Sequence, residues 1–258
     1  MRIPRVYIDP SEARLAVGAV IESDQRVANY LRNALRLKSG AALVVFDGSG
    51  ADYAATVTQV SRKTVQLTIQ NQLSSEAAQP LLPITLAIGV SKGERMDWVI
   101  QKATELGVSS IQPLMTERVE VRLDESRLKK RLLHWRNVAI AACEQSRRRE
   151  LPAISEPVAL GSWLADREQN AAPAIQSPLN LVLALESQPL KGHLDALGAS
   201  PLSASLLIGP EGGLSSAEIG LAADHGFAPV SLGDRVLRTE TAPVVIVSLL
   251  QYLWGDIG

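Results

Sequence analysis

The chain has 258 residues, 46% of them hydrophobic and 21% charged, with one cysteine and a net charge of −1. This is the composition of a soluble globular protein, and the length suits one large domain or a small domain beside a larger one. A single cysteine excludes a disulfide framework, and no run approaches the roughly 20 apolar residues of a membrane span.

The opening Met1-Arg2-Ile3-Pro4-Arg5 has a basic end with no apolar core behind it. A signal peptide is therefore not expected, and a cytoplasmic protein is the simplest expectation. Residues 1–73 read as mostly β: short apolar or alternating runs recur at Arg5–Ile8, Ala19–Glu22, Ala42–Phe46, Tyr53–Val60 and Thr64–Gln70. Asp47-Gly48-Ser49-Gly50 marks a turn between two of them. One helix interrupts at Gln25–Leu37, with Val27, Leu31, Ala34 and Leu35 on one face. Strands at this spacing point to a small barrel. Residues 74–83, with Ser, Gln, Ala and two prolines and no periodicity, read as a linker.

Residues 84–258 alternate strand with helix. Ile84–Val90 is the continuous apolar run of a buried parallel strand. Met96, Val99, Ile100 and Ala103 repeat at helical spacing up to Gly107, a natural stop. Ser110–Met115 is the next strand. A long helix follows, marked by Leu128, Leu132, Trp135, Ala139 and Ala142. Leu179–Leu185 and Ser205–Ile208 are further strands, and residues 166–178 read as a surface loop. Val244–Trp254 is apolar on nearly every side, so it belongs in a core or a subunit interface. The order predicts an α/β domain on a parallel sheet.

Four segments carry chemistry. Ser91–Asp97 follows the first strand of this domain. Cys143-Glu144-Gln145-Ser146-Arg147-Arg148-Arg149 ends the long helix, where the arginines either favour the helix dipole or grip phosphates. Ile208-Gly209-Pro210-Glu211-Gly212-Gly213-Leu214 forces a tight turn after a strand, and Ser215 with Glu218 forms a capping box for the next helix. Neither the dinucleotide fingerprint nor a P-loop is present. Leu232–Ala242 also follows a strand, with Thr239 or Thr241 as a helix cap and Pro243 in the first turn. Charge divides the chain: residues 1–149 carry 22 Lys and Arg against 15 Asp and Glu, and residues 150–258 carry 4 against 12. The basic part suits either a polyanionic partner or solvated helix faces.

Together these segments resemble the 16S ribosomal RNA (uracil-N3) methyltransferases, named for uracil 1498. The resemblance runs over essentially the whole chain. Gly-Pro-Glu-Gly-Gly at 209–213 and Leu-Gly-x-Arg-x-Leu-Arg-x-Glu-Thr-Ala at 232–242 are specific as a pair, and Met1–Arg5 and Asn29–Leu37 match the family's amino-terminal domain. Tyr30-Leu31-Arg32-Asn33-Ala34 departs from it, lacking the usual His before this helix and the Val before Leu-Arg. The resemblance implies a PUA-like RNA-binding barrel followed by a SPOUT α/β domain with a C-terminal trefoil knot. It implies a homodimer, S-adenosylmethionine as cofactor, and 16S ribosomal RNA in the 30S subunit as partner. It places the cofactor against Leu185 and Glu186, against Ile208, Gly209, Pro210, Gly212 and Gly213, and against Leu232, Gly233, Leu237 and Thr239.

Methylation at N3 of uracil requires loss of the imide proton, which leaves charge on the ring. Arg238 is the candidate to stabilise that charge, and Glu211 or Glu240 to accept the proton. Arg147, Arg148, Arg149 and Lys92 are candidates for phosphate contacts, and Arg2, Arg5, Arg32 and Arg36 for RNA contacts from the barrel. No nucleophile is needed, so Cys143 reads as a small core residue. His134, His193 and His225 lack ligand spacing, so no metal is expected. Two alternatives stay open. One is a SPOUT methyltransferase acting on another RNA, such as a transfer-RNA ribose 2′-hydroxyl. The other is a non-catalytic RNA-binding or ribosome-assembly protein.

Overall fold

The computed structural model describes residues 3–61, 64–74, 81–121, 124–169 and 178–257. The chain divides into two units, Met1–Ala78 with Ile140–Leu151, and Gln79–Ala139 with Pro152–Gly258. Residues 140–151, expected with the second domain, group with the first; spatial grouping here does not follow sequence contiguity.

The first unit is built on strands β1 (Arg5–Tyr7), β2 (Val20–Glu22), β3 (Ala42–Phe46), β4 (Asp52–Val60) and β5 (Val65–Ser74). They run in the order β1-β3-β4-β5-β2, parallel only between β1 and β3. Register shifts at three places between β4 and β5 bend the sheet around its apolar face, as bulges do. Val6, Ile21, Leu43, Val45, Val57, Leu67 and Ile69 fill that face. Helix α1 (Gln25–Asn29) is capped by Asp24, whose carboxylate accepts the Val27 N–H. It covers the core with Val27 and Ala28 and continues as a π-helical turn, Tyr30–Ala34, that adds Leu31. The predicted helical face fails at Ala34, which is exposed. The Leu35 N–H bonds back to the Tyr30 carbonyl, five residues away, and this wider spiral rotates Ala34 outward while Leu35 and Leu37 still reach the core.

The last turns of helix α3 (Glu125–Ser146) belong to this unit, where Ile140 and Cys143 pack with Tyr7, Phe46 and Leu151. Arg5 is only 9% exposed. Its guanidinium donates to Asp52 Oδ1 at 2.7 Å and to the carbonyls of Cys143 and Arg148 at 2.8 Å each, and it stacks on the Phe46 ring. Expected as an RNA contact, Arg5 is instead a buried tie with its donors committed to protein. Cys143 is fully buried, and burial pushes its thiol up to about 11 despite the nearby cations of Arg148 and Arg5.

The second unit holds one parallel sheet. Its strands are β6 (Ile84–Gly89), β7 (Ser110–Met115), β8 (Ala153–Ile154), β9 (Val158–Ala159), β10 (Leu179–Pro189), β11 (Ala204–Ile208) and β12 (Ala228–Ser231). The order is β12-β10-β11-β6-β7-β8, with β9 also on β7. Ala87, Leu114, Val182 and Leu207 face α4 (Leu160–Gln169) and α6 (Ser216–Asp224) through Leu160, Trp163, Leu164 and Ala222. Leu86, Ile88, Leu206 and Ile208 alternate with them and are buried on the other face. Helices α2 (Glu94–Glu105) and α7 (Thr241–Trp254) pack against one another. Residues 166–169, expected in a loop, finish α4, and residues 170–177 lie outside the described residues. Strands β8 and β9 and the six-residue α5 (Leu190–Asp195) carry too few residues to show a period. Among the described residues no helix is long and apolar enough to cross a membrane.

Candidate functional site

The carboxyl ends of β10, β11 and β12 lie side by side, the position where open parallel sheets gather ligands. Three loops leave them. The first is an excursion within β10 itself. Val230 pairs with both Leu183 and Gln188, so Ala184–Ser187 are looped out of the ladder. Leu185 is thereby 63% exposed in the middle of an apolar strand.

The second loop, Gly209–Leu214, turns back on itself. A side chain at Gly209 would lie 2.6 Å from the Gly213 carbonyl carbon, and Gly213 holds φ at 70°, so both positions require glycine. The Gly213 N–H closes the turn on the Pro210 carbonyl at 2.8 Å. The Ser215–Glu218 capping box then starts α6, and the Glu117 N–H also donates to the Glu218 carboxylate at 2.8 Å. The third loop, Leu232–Glu240, leads into α7. The helix is capped at Glu240 with no side-chain cap bond; neither Thr239 nor Thr241 takes that place. The Arg238 carbonyl instead accepts the N–H groups of Thr241 and Ala242.

These loops enclose a cavity of about 590 Å3, within the roughly 300–1,000 Å3 of small-molecule sites. All eleven residues expected to hold a cofactor line it: Leu185, Glu186, Ile208, Gly209, Pro210, Gly212, Gly213, Leu232, Gly233, Leu237 and Thr239. Glu211 lines it too. Arg238 and Glu240 do not; the Arg238 side chain is 84% exposed and lies 3.9 Å from the Glu240 carboxylate. Two guanidiniums on the wall escaped the sequence reading, Arg118 and Arg235. Arg235 is the first arginine of the Leu232–Ala242 motif, though the sequence assigns it no role; Arg118 lies in a loop without periodicity or motif, so only the fold brings it forward.

Glu211 is fastened from the loop after β6 and from the first turn of α2. Its Oε1 accepts from Arg95 Nη1 at 2.9 Å and from the Lys92 N–H at 3.2 Å. Burial alone would raise its pKa, but the hydrogen bonds from its own backbone, Arg95 and Lys92 together outweigh burial and lower it. Lys92, expected at a phosphate, pairs its ammonium with the Glu120 carboxylate.

Of the arginines expected at RNA, those at 5, 32, 36 and 147–149 all fall in the first unit. Arg2 lies outside the described residues. Arg32 bonds Asn29, Asn33 and the Ser61 carbonyl, and Arg149 lies 3.6 Å from Asp52. The Arg148 carbonyl is held by Arg5. Arg36 and Arg147 are exposed, each with positive φ, 53° and 67°.

The family model for an RNA methyltransferase domain matches residues 77–251, and that for an RNA methyltransferase PUA domain matches residues 24–70. The chain is 32% identical to the ribosomal RNA small subunit methyltransferase E of Buchnera aphidicola (from Schizaphis graminum) over 100% of this chain and 99% of that one. Two solved structures are similar throughout. A Legionella pneumophila methyltransferase in complex with its cofactor S-adenosylmethionine superposes with a TM-score of 0.87, at 36% identity over 99% and 100% of the two chains. The ribosomal RNA small subunit methyltransferase E of Neisseria gonorrhoeae, bound to S-adenosylmethionine, gives 0.85 at 31% identity over 100% of both.

Proposed function

The chain belongs to the ribosomal RNA small subunit methyltransferase E family, and we propose from this that it methylates N3 of one uracil of 16S ribosomal RNA with S-adenosylmethionine as donor. The observation that carries the reading is the meeting of three loops, distant in sequence, around one cavity. The residues there fit the cofactor. Turns at Gly209 and Gly213 offer bare backbone to a flat, hydrogen-bonding base and ribose, while Leu185, Ile208, Leu232 and Leu237 supply apolar surface. The bound cofactor supplies an electrophilic methyl group, so the chain need only bind, orient and manage one proton.

The proton falls to Glu240. Glu211 is engaged by Arg95 and Lys92 with its pKa lowered, which makes it a weak base and a loop fastener. Glu240 carries no cap bond and sits beside Arg238, whose exposed guanidinium is free to meet a base entering from solvent. Arg238 then stabilises the charge left on the uracil ring. Arg32, Arg36 and Arg147 take RNA phosphates from the first unit, the PUA-like one.

The reading extends to the knotted crossing of the C-terminal segment, to the cytoplasm, to an assembled small subunit as substrate, and to a homodimer. The dimer is supported by α7, where Leu249, Tyr252 and Leu253 line one helix face and are 41%, 69% and 47% exposed. Primer extension on unmethylated small-subunit RNA tests the function. A single stop that depends on S-adenosylmethionine is expected, because an N3 methyl blocks the pairing edge. Cofactor binding without a stop would favour the ribose-methylating alternative.

A further inference from the structure

Arg118 stands on the loop after β7, three residues beyond the strand, and is exposed at the cavity wall. Its Nη1 donates to the Gly212 carbonyl at 2.7 Å, across 94 residues of sequence. The rest of the side chain follows the same turn. A Cβ placed on Gly212 would lie 3.0 Å from Arg118 Cβ and 3.3 Å from its Cδ, and one on Gly213 would lie 3.9 Å from Nη1. The arginine stem therefore crowds the space that a side chain at 212 would fill, and its guanidinium lies in ordinary contact with position 213. Among the described residues no carboxylate pairs with this guanidinium, so its one strong bond is the charge-assisted one to Gly212.

The turn needs such a fastener. Glycines at 209, 212 and 213 let the chain fold tightly, but they bring no side chains to lock the result, and glycine has the most backbone freedom to lose. The Glu211 side chain is held by Arg95 and the Gly213 N–H closes on the Pro210 carbonyl, yet neither bond engages the Gly212 carbonyl. Arg118 fixes that carbonyl. The neighbouring Glu117 N–H, bonded to Glu218, secures its own loop to the first turn of α6. A clamp that holds a binding loop in its bound shape gains affinity by cutting the ordering cost.

We propose that Arg118 is a positioning residue for methyl transfer: it holds the Gly212 carbonyl, and with it the Gly209–Gly213 turn, in the conformation that takes the cofactor, without touching the reacting atoms. The proposal rests on reading the cavity as the S-adenosylmethionine site.

The test is steady-state methylation of unmethylated small subunits, with calorimetric binding of S-adenosylmethionine, for wild type, R118A, R118K, G212A and R118A/G212A. In R118A the Kd and KM for S-adenosylmethionine should rise about tenfold, or about 1.4 kcal/mol. Its kcat at saturating cofactor should stay within about twofold of wild type, since uniform binding is what is lost. R118K should recover part of the affinity, through one donor on a simpler stem. G212A should cost somewhat less in the R118A background than in wild type, because the Cδ and Cγ contacts at 3.3 and 3.7 Å are gone while the Cβ contact at 3.0 Å remains. A merely structural role would instead lower the thermal midpoint and the active fraction, with KM unchanged. Wild-type cofactor affinity in R118A overturns the proposal and leaves the cavity reading intact. Failure of wild type to bind S-adenosylmethionine overturns the cavity reading and this proposal with it.

Discussion

Arg95 and Glu211 lie 116 residues apart, yet the guanidinium Nη1 of one meets the carboxylate Oε1 of the other at 2.9 Å, beside the cavity. This bond joins the first turn of α2, which follows β6, to the glycine turn after β11, β6 and β11 being paired in register from Ile84 with Ala204 to Ile88 with Ile208.

The ionisation of Glu211 sets a pH dependence for cofactor binding. Its pKa in the folded protein lies below the ordinary 4.5. A lowered carboxylate pKa contributes stability that is fully present above the ordinary value and is lost as pH falls through the lowered one. Affinity for S-adenosylmethionine should therefore be flat between about pH 6 and 8 with respect to this group, and decline only in acid. Calorimetry across pH checks it. Glu211→Gln should flatten the acidic limb and weaken binding a few-fold at most, as expected for a partly exposed pair.

Arg238 and Glu240 should separate chemistry from binding. Arg238→Ala is expected to lower kcat while leaving the Kd for S-adenosylmethionine roughly intact, because Arg238 is not on the cavity wall. An equal loss of both would assign it to the cofactor site. Glu240→Gln should reduce kcat by roughly 10²- to 10⁴-fold, the usual range for a general base. Methylation at saturating cofactor measures kcat for both variants, and calorimetry measures the Kd for S-adenosylmethionine.

Arg5→Ala should destabilise the first unit by about 3–5 kcal/mol, the usual cost of stranding one partner of a buried ion pair. It leaves Asp52 without its principal cation and removes the donor to the Cys143 and Arg148 carbonyls. Arg5→Lys should not rescue it, since one ammonium cannot serve the planar fork. Urea denaturation followed by a probe in residues 1–74 reads the loss. RNA affinity of the folded fraction should be unchanged.

The contrast between Arg5 and the cavity loops shows what the sequence discloses. Gly209–Gly213 and Leu232–Thr239 were legible because tight turns after apolar strands demand particular residues, and those residues also carry the family resemblance. Arg5 read as an RNA contact because its partner Asp52 is 47 residues away, and no local pattern reports such a pair. The excursion at Ala184–Ser187 is hidden inside an apolar run that looks like uninterrupted strand; only its pairing with Val230 exposes it. Arg118 is invisible for the same reason, since its role lies in a carbonyl 94 residues away.

Cys143 should prove chemically silent. Its thiol is buried, and burial drives its pKa to about 11, so little thiolate exists near neutral pH. Iodoacetamide at about pH 8 should fail to label the folded protein and label it in urea. Cys143→Ala should retain methylation at near wild-type kcat, because N3 of the uracil is itself the nucleophile and the protein need supply none.

Arg147 should show stability and function moving in opposite directions. It follows the last residue of α3 at φ 67°, a left-handed position that glycine takes without steric cost. An arginine held there is strained by about 1 kcal/mol or more, and such strain persists where the side chain serves a function. Its guanidinium is exposed in the unit that carries the other candidate RNA contacts. Arg147→Gly should therefore leave unfolding free energy unchanged or raise it by up to about 1 kcal/mol, since relief of strain is offset by glycine's greater freedom when unfolded. It should also weaken binding to small-subunit RNA and make the slope of log affinity against log salt shallower by about one unit, one phosphate contact having been lost. Filter binding across a salt series, beside urea denaturation, distinguishes the two effects. An unchanged salt slope would remove Arg147 from the RNA surface and leave its left-handed backbone as a feature of the helix end alone.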